Sequence, residues 1–405
     1  MNPENKRIIA YLAPEIPARS ATFVYEEIKA LERAGVAVVP FSVHVPPHAE
    51  KVSPEIYCRT HYLYRSTGIA AVLFGLFALL PRLANLPGAL GALVHDVLQV
   101  RSTRQRLALA FQFLTGARLA NKLLRARCAH LHIHFAHVPC QIGMYASLLS
   151  GIPFTVTSHA NDIFERGILL KEKAKRARKF LTVSQFNLDY LKRLGLPEEK
   201  LGLVRCGVSF VAPKALPELP QKACFRLGTL GRMVEKKGFD VLLQALKRMD
   251  EKGFCFELQL AGDGPLMPAL QQQVGALGLG DKVRFLGAMG HDHVASWLAM
   301  LDLFILACKQ DSNGDMDGIP VVLMEAMSQG VPVVSTRISG IPELIIDDQT
   351  GLLAEPNDVD SLVRVIWRLV GDQALRKRLA EKAQGHVMDE FGQTANLGRL
   401  QEYFG

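Results

Sequence analysis

The chain has 405 residues, 49% hydrophobic and 21% charged, which is enough for two domains with cores of their own and leaves no low-complexity tract, so a disordered protein is excluded. Its formal net charge of +8 is unevenly spread: residues 1–210 carry 27 basic against 14 acidic side chains, and the remainder 20 against 25. No aromatic residues interleave with the basic clusters and no nucleic-acid motif occurs, which argues against nucleic acid as a partner.

The opening stretch MNPENKRIIAYLAPEIP passes from polar residues into a short apolar strand pattern, without the long apolar run of a signal peptide. Arg7–Leu12 reads as a strand, Ala13 to Ser20 as a loop, Ala21–Ala34 as a helix stopped by Gly35, and Val36–Val43 as a second strand. Gly68 to Leu80 is the most apolar run but is too short to span a bilayer; it reads either as a buried or inter-helix element or as an interfacial helix on a membrane. The basic clusters Arg101, Arg104, Arg106 and Lys171, Lys173, Lys175, Arg176, Arg178, Lys179 read as solvated helix faces or as attractors of anionic lipid or a phosphorylated acceptor. Strands follow at His130–His134, Phe154–Ser158, Phe180–Val183 and Leu203–Cys206, completing one doubly wound sheet.

Residues Val208 to Gln221, with Pro213, Pro217 and Pro220 and no sustained period, read as an inter-domain linker. A second βα series starts at Phe225–Leu230 and runs through a helix at Phe239–Met249 and strands at Phe256–Ala261, Lys282–Leu286, Leu303–Leu306 and Val331–Ser335. The division expected is therefore 1–208, a linker 209–222, a second domain 223–385, and a C-terminal helix in 386–405 that crosses back to the first domain. Seven scattered cysteines without a CxxC predict neither a disulfide framework nor a zinc site, and a cytoplasmic chain is expected.

Two stretches carry chemistry. After the strand Phe225–Leu230, the segment Gly231-Arg232-Met233-Val234-Glu235-Lys236-Lys237-Gly238 puts a guanidinium and an ammonium at a strand-to-helix turn. Ligands bind at strand carboxyl ends in open α/β sheets, and two cations there suit a diphosphate. The second stretch, Asp315 to Met327, sets Asp317 before a helix and Glu325 within it, with Gly318, Ile319 and Pro320 forming the turn between. Carboxylate oxygens so placed accept hydrogen bonds from hydroxyls. His134 and His137 lack a third ligand of matching spacing, and Asp311, Asn313 and Asp315 lack the glycine and glutamate of a calcium loop, so no metal is expected. Gly262-Asp263-Gly264 lacks the third glycine of a dinucleotide fingerprint.

Taken together, Pro17–Phe23, His134-Phe-Ala-His137, Pro153–Phe164, Val183–Asn187, Val204–Val208, GRMVEKKGFDVLLQA, AGDGP, VRFLG, DGIPVVLMEAM and SGIPELI resemble the retaining glycosyltransferases of family four, especially the bacterial exopolysaccharide and colanic-acid type. The resemblance implies the α/β GT-B architecture: two Rossmann-like domains with parallel sheets facing across a cleft, the first taking the acceptor and the second a nucleotide diphospho-sugar. It implies that Arg232 and Lys237 bind the donor diphosphate, that Glu325 accepts from the ribose, and that Asp317, where glutamate is usual, meets the sugar hydroxyls. His159 matches the histidine that reaches the donor sugar from the first domain, with Asp162 beside it. Arg19, Ser20, Thr22 and His137 fall in the acceptor-side loops. The implied reaction is retaining transfer to a glycan or lipid-linked glycan in surface polysaccharide synthesis, with no cofactor or essential metal. A peripheral contact with anionic membrane is a separate expectation, resting on the basic first half and the Gly68–Leu80 run. A sugar-nucleotide epimerase of the same fold and a non-catalytic nucleotide-sugar-binding subunit are the alternatives.

Overall fold

The computed structural model describes residues 7–18, 21–65, 68–207 and 224–404, and divides into two compact units, Met1–Arg205 with Asn396–Gly405 and Cys206–Ala395. The linker assigned to 209–222 lies outside the described residues.

The first unit holds seven parallel strands: β1 (Ile8–Glu15), β2 (Ala37–His44), β3 (His61–Tyr62), β4 (His130–His134), β5 (Phe154–Ser158), β6 (Lys179–Thr182) and β7 (Leu201–Leu203), in the order β3-β2-β1-β4-β5-β6-β7. The order reverses between β1 and β4, which makes the carboxyl ends of these two strands the place for a ligand. The helix Thr22–Arg33 buries Val24, Tyr25, Ile28 and Leu31, a helical stripe, against the sheet. From the C-terminal helix Gln393–Phe404, Leu400 and Phe404 join the same core as Tyr11, Val24 and Ile28.

The second unit holds β8 (Phe225–Leu230), β9 (Phe256–Ala261), β10 (Val283–Gly287), β11 (Leu303–Ile305), β12 (Val333–Thr336) and β13 (Leu352–Ala354), all parallel, in the order β10-β9-β8-β11-β12-β13. Here the reversal falls between β8 and β11. The two-residue β3 and three-residue β13 are too short to carry a periodic signal of their own.

Two expectations need correction. Cys224 and Cys255 form a disulfide, with Cα atoms 4.5 Å apart across 31 residues of sequence. Each cysteine immediately precedes one of two paired strands in which Phe225 lies opposite Phe256, so register, invisible in the cysteine spacing, brings them together. The apolar run at Gly68 forms a helix, Gly68–Leu79, but it is not a buried element: only Ala71 and Gly75 are buried.

Candidate functional site

In the second unit the turn after β8 is shaped by close backbone approach. Gly238 has φ of 64°, and a Cβ there would sit 1.7 Å from the Ala307 carbonyl oxygen, so glycine lets the helix Phe239–Asp250 begin against the segment leaving β11. Lys237 lies across Gly231, where a Cβ would be 3.3 Å from Lys237 Cε. Its Nζ is 2.7 Å from Asp317 Oδ2, while Lys236 Nζ is 2.6 Å from Asp315 Oδ2 and 3.6 Å from Asp317 Oδ1. Cys308 Sγ donates to Asp317 Oδ2 at 3.5 Å.

Burial opposes charge on Lys237, but the Asp317 carboxylate outweighs it and raises the ammonium's pKa. Burial likewise opposes the charge on Asp317, and Lys237 followed by Lys236 holds the carboxyl below its ordinary range. Both groups are therefore ionised at neutral pH. Arg232 is exposed and, among the described residues, makes no ion pair, which leaves its charge available to an anion. Gly318 and Ile319 are half-buried, and Pro320 is the residue before the helix Val321–Ser328. Glu325, on that helix, has a different partner: His291 Nδ1 at 3.6 Å. Burial raises the Glu325 pKa, and His291 partly offsets this.

In the first unit the carboxyl ends of β4 and β5 carry a buried polar network. His134 Nε2 is 2.9 Å from Glu27 Oε1, and His134 Nδ1 is 3.3 Å from His159 Nε2. Tyr11 Oη donates to the same Glu27 oxygen at 2.7 Å. His132 bonds Thr155 and Thr157 through its two ring nitrogens at 2.8 and 3.3 Å. The His159 ring centroid lies 4.9 Å from Phe23, 4.5 Å from Phe135 and 5.6 Å from His134. Phe135 holds φ of 74°, a conformation costly for a bulky residue and sustained here by packing. Burial, then the neighbouring His134 and His137, keeps the His159 pKa well below that of a free imidazole. This ring is neutral.

Asp162 ties the two strand ends together: Oδ1 accepts from His159 N at 2.7 Å and Oδ2 accepts from Ala136 N. Burial pushes its carboxyl up to about 7 against the pull of these amides and of Lys173. An amide side chain presents one acceptor to two donors, so Asp162→Asn is expected to cost about 1–3 kcal/mol of stability, read as a lowered denaturant midpoint; an unchanged midpoint would contradict the staple. His137 is spent on structure, its Nδ1 accepting from Val138 N at 2.8 Å at the head of the helix Val138–Ser150. Thr22 opens the helix Thr22–Arg33, and Arg19 and Ser20 lie outside the described residues.

Comparison with known proteins identifies the family. Residues 20–210 match the family model described as Glycosyltransferase Family 4, and residues 224–372 the one described as Glycosyl transferases group 1. The chain belongs to the family-four glycosyltransferases. It is 29% identical to the amylovoran biosynthesis glycosyltransferase AmsK of Erwinia amylovora over 97% of this chain and 98% of that one. With the putative colanic acid biosynthesis glycosyltransferase WcaL of Escherichia coli it shares 33% identity over 51% of this chain and 52% of that protein, about half its length. Among solved structures, Anabaena Alr3699/HepE in complex with UDP and glucose superposes with a TM-score of 0.74 at 17% identity over 98% of both chains. The sucrose-phosphate synthase of Thermosynechococcus elongatus gives 0.74 at 18% identity over 98% of both. Both likenesses are of fold, the GT-B fold.

For this glycosyltransferase, Lys237, Gly231 and Asp317 come together as one group, and His159 and Asp162 as another. Three functional candidates escaped the sequence reading: Glu27, His132 and His291. The ligand atoms of Glu27, His132 and His134 all lie within 4.8 Å of one another, an arrangement with metal-site spacing. Each of these residues is already hydrogen-bonded within the network.

Proposed function

We propose that this family-four glycosyltransferase moves a sugar, with retention of anomeric configuration, from a nucleotide diphospho-sugar to a hydroxyl of a free or lipid-linked glycan in surface-polysaccharide assembly, at the cytoplasmic face of the membrane. The observation that carries the reading is the exposed Arg232 beside the charged Lys237–Asp317 pair at the carboxyl end of β8. The names of the amylovoran and colanic acid relatives support the polysaccharide context, and the UDP and glucose in the Anabaena structure support the donor class.

In this mechanism Arg232 and Lys237 draw charge from the diphosphate as the glycosidic bond breaks, which stabilises the leaving group where negative charge grows. Asp317 keeps Lys237 charged and orients it, and meets the donor sugar's hydroxyls with its remaining acceptor capacity. Glu325 accepts from the ribose. The acceptor hydroxyl attacks from the face the diphosphate leaves, and the leaving phosphate oxygen takes its proton, which retains configuration. The side-chain cations supply the charge that a metal supplies elsewhere, so the reaction is proposed to need none. His159, neutral and fixed, serves the donor sugar as a polar, uncharged neighbour and not as general base.

A panel of nucleotide sugars in a thermal-shift assay, followed by nucleotide diphosphate release with and without a purified acceptor glycan, tests this. Release that depends on acceptor and persists in EDTA is expected. Altered sugar without acceptor would indicate an epimerase, and donor binding without release in any mixture a binding subunit; either outcome refutes the proposal.

Glu325→Ala is expected to weaken donor binding about 10- to 100-fold, the worth of a hydrogen bond to a charged acceptor. The raised folded pKa also fixes the sign of two pH effects. The folded protein holds an extra proton from about pH 4.5 upward to the shifted value, so over that window rising pH withdraws stability while donor affinity climbs as the carboxylate forms. Calorimetry across this window should show that climb in the wild type and a flat profile in Glu325→Gln; equal profiles would contradict the ribose role.

A further inference from the structure

The helix Gly68–Leu79 is inside out by size. It lies on the helix Thr103–Arg125 through its small residues, with Gly75 so close that a Cβ would be 2.6 Å from Leu114 Cβ. Asn121 secures it by donating to the Ala78 carbonyl at 2.8 Å and accepting from Arg82 Nε at 2.9 Å. Its large side chains face outward: Ile69 is 80% exposed and Phe77 67%. The next helix, Leu86–Gln99, continues the surface with Leu90, Val94 and Leu98, one stripe at four-residue spacing, Leu98 being 74% exposed. Of the eighteen large apolar side chains exposed among the described residues, twelve lie between Ile69 and Leu107. A patch of that extent marks an interaction surface.

Charge identifies the occupant. From residue 56 to residue 161 the chain carries ten Lys and Arg but a single acid, Asp96, which is buried in an ion pair with Arg176 at 2.7 Å. The Arg118 guanidinium lies 6.0 Å from the exposed Phe74 ring, so the cations abut the apolar surface directly. Burial and then the fields of Arg118, Arg125 and Arg65 lower the Lys122 pKa, which places four cations in one cluster. Among the described residues no helix is long and apolar enough to cross a membrane.

We propose that the helices Gly68–Leu79 and Leu86–Gln99 form a rigid platform that inserts Ile69, Phe74, Phe77 and Leu98 into the interfacial layer of an anionic bilayer while the flanking arginines bind its headgroups. This deepens the membrane placement in the proposed function and rests on it. A second copy of the chain is a poorer fit, because pairing this surface with itself would oppose two like-charged rims.

Sedimentation of the full chain with phosphatidylcholine vesicles, with and without phosphatidylglycerol, is the test. Wild type is expected to pellet with the phosphatidylglycerol vesicles at low salt and less at high salt. The double variant Phe77→Glu, Leu98→Glu should lose about tenfold or more of that binding with circular dichroism and melting temperature unchanged. Wild type left in the supernatant with both vesicles, or a variant that pellets equally well, overturns the platform. So does a wild-type dimer in ultracentrifugation that the variant converts to monomer. Transfer to a soluble acceptor, assayed on the same preparations, separates the two proposals: intact transfer without lipid binding sinks the platform alone, and lipid binding without transfer sinks the transferase reading.

Discussion

Lys237→Ala is expected to reduce transfer about 100- to 1000-fold, the loss typical of removing one donor aimed at developing negative charge. The lysine sits at the strand end where a diphosphate would lie, and its charge is secured by Asp317 at 2.7 Å. Removal has a second consequence, for stability. Asp317 is left with Lys236 at 3.6 Å as its remaining counter-charge, so its pKa rises toward and past that of a free carboxyl. In the wild type the depressed Asp317 pKa contributes stability above about pH 3.8 that is lost as pH falls through the folded value, whereas the raised Lys237 pKa contributes below about pH 10.5 and is lost as pH rises through its own. The variant forfeits both contributions across the neutral range. Removing Asp317 as well eliminates the orphaned carboxylate, so Lys237→Ala with Asp317→Ala should be less destabilised than the two single changes summed. Denaturant melts of the four proteins measure that coupling, and rates with a purified acceptor measure the chemistry. Wild-type turnover in Lys237→Ala would remove the diphosphate role altogether.

What the sequence made legible follows the length scale of each signal. Strands such as Phe154–Ser158, Phe225–Leu230 and Phe256–Ala261 are legible to their observed limits, because each is an apolar run bounded by turn residues. Lys237 and Asp317 both stand out in the sequence, but in separate motifs. Their direct pairing depends on the turn after β8 meeting the segment after β11, a consequence of strand order that no local pattern encodes. The same blindness hid the disulfide. It also hid Glu27, which on the sequence is one more polar residue of an amphipathic helix that buries Val24, Ile28 and Leu31. Only when that helix docks does Glu27 meet His134, and only the β4–β5 register, with His132 opposite Thr155, sets the histidine ladder beside it. The apolar run at Gly68 was ambiguous for another reason: hydropathy cannot tell which face packs, and here Ala71 and Gly75 are the buried residues of the helix.

Glu27→Gln should lower the transfer rate about 10- to 100-fold while leaving donor affinity close to wild type. As a carboxylate Glu27 only accepts, taking Tyr11 Oη–H and His134 Nε2–H on Oε1. Burial and then the Glu27 charge raise the Tyr11 pKa far above its usual value, so the phenol stays a donor. When His134 carries its one proton on Nε2, facing Glu27, its Nδ1 is bare, and the 3.3 Å contact is then filled by His159 donating from its own Nε2. A single charge on the neighbouring helix thus sets the tautomer of two rings and the orientation of the one assigned to the donor sugar. Glutamine keeps the shape but brings an N–H₂ that can turn toward His134, which would reverse the order along the chain. Glu27 belongs to the first unit and the proposed donor-binding residues to the second, so calorimetry with the nucleotide sugar should register little change while turnover falls. Glu27→Asp, which retains the charge on a shorter arm, should recover part of the rate. If glutamine and aspartate variants lose rate, donor affinity and melting temperature in equal measure, Glu27 is a packing residue and the proton order has no bearing on transfer.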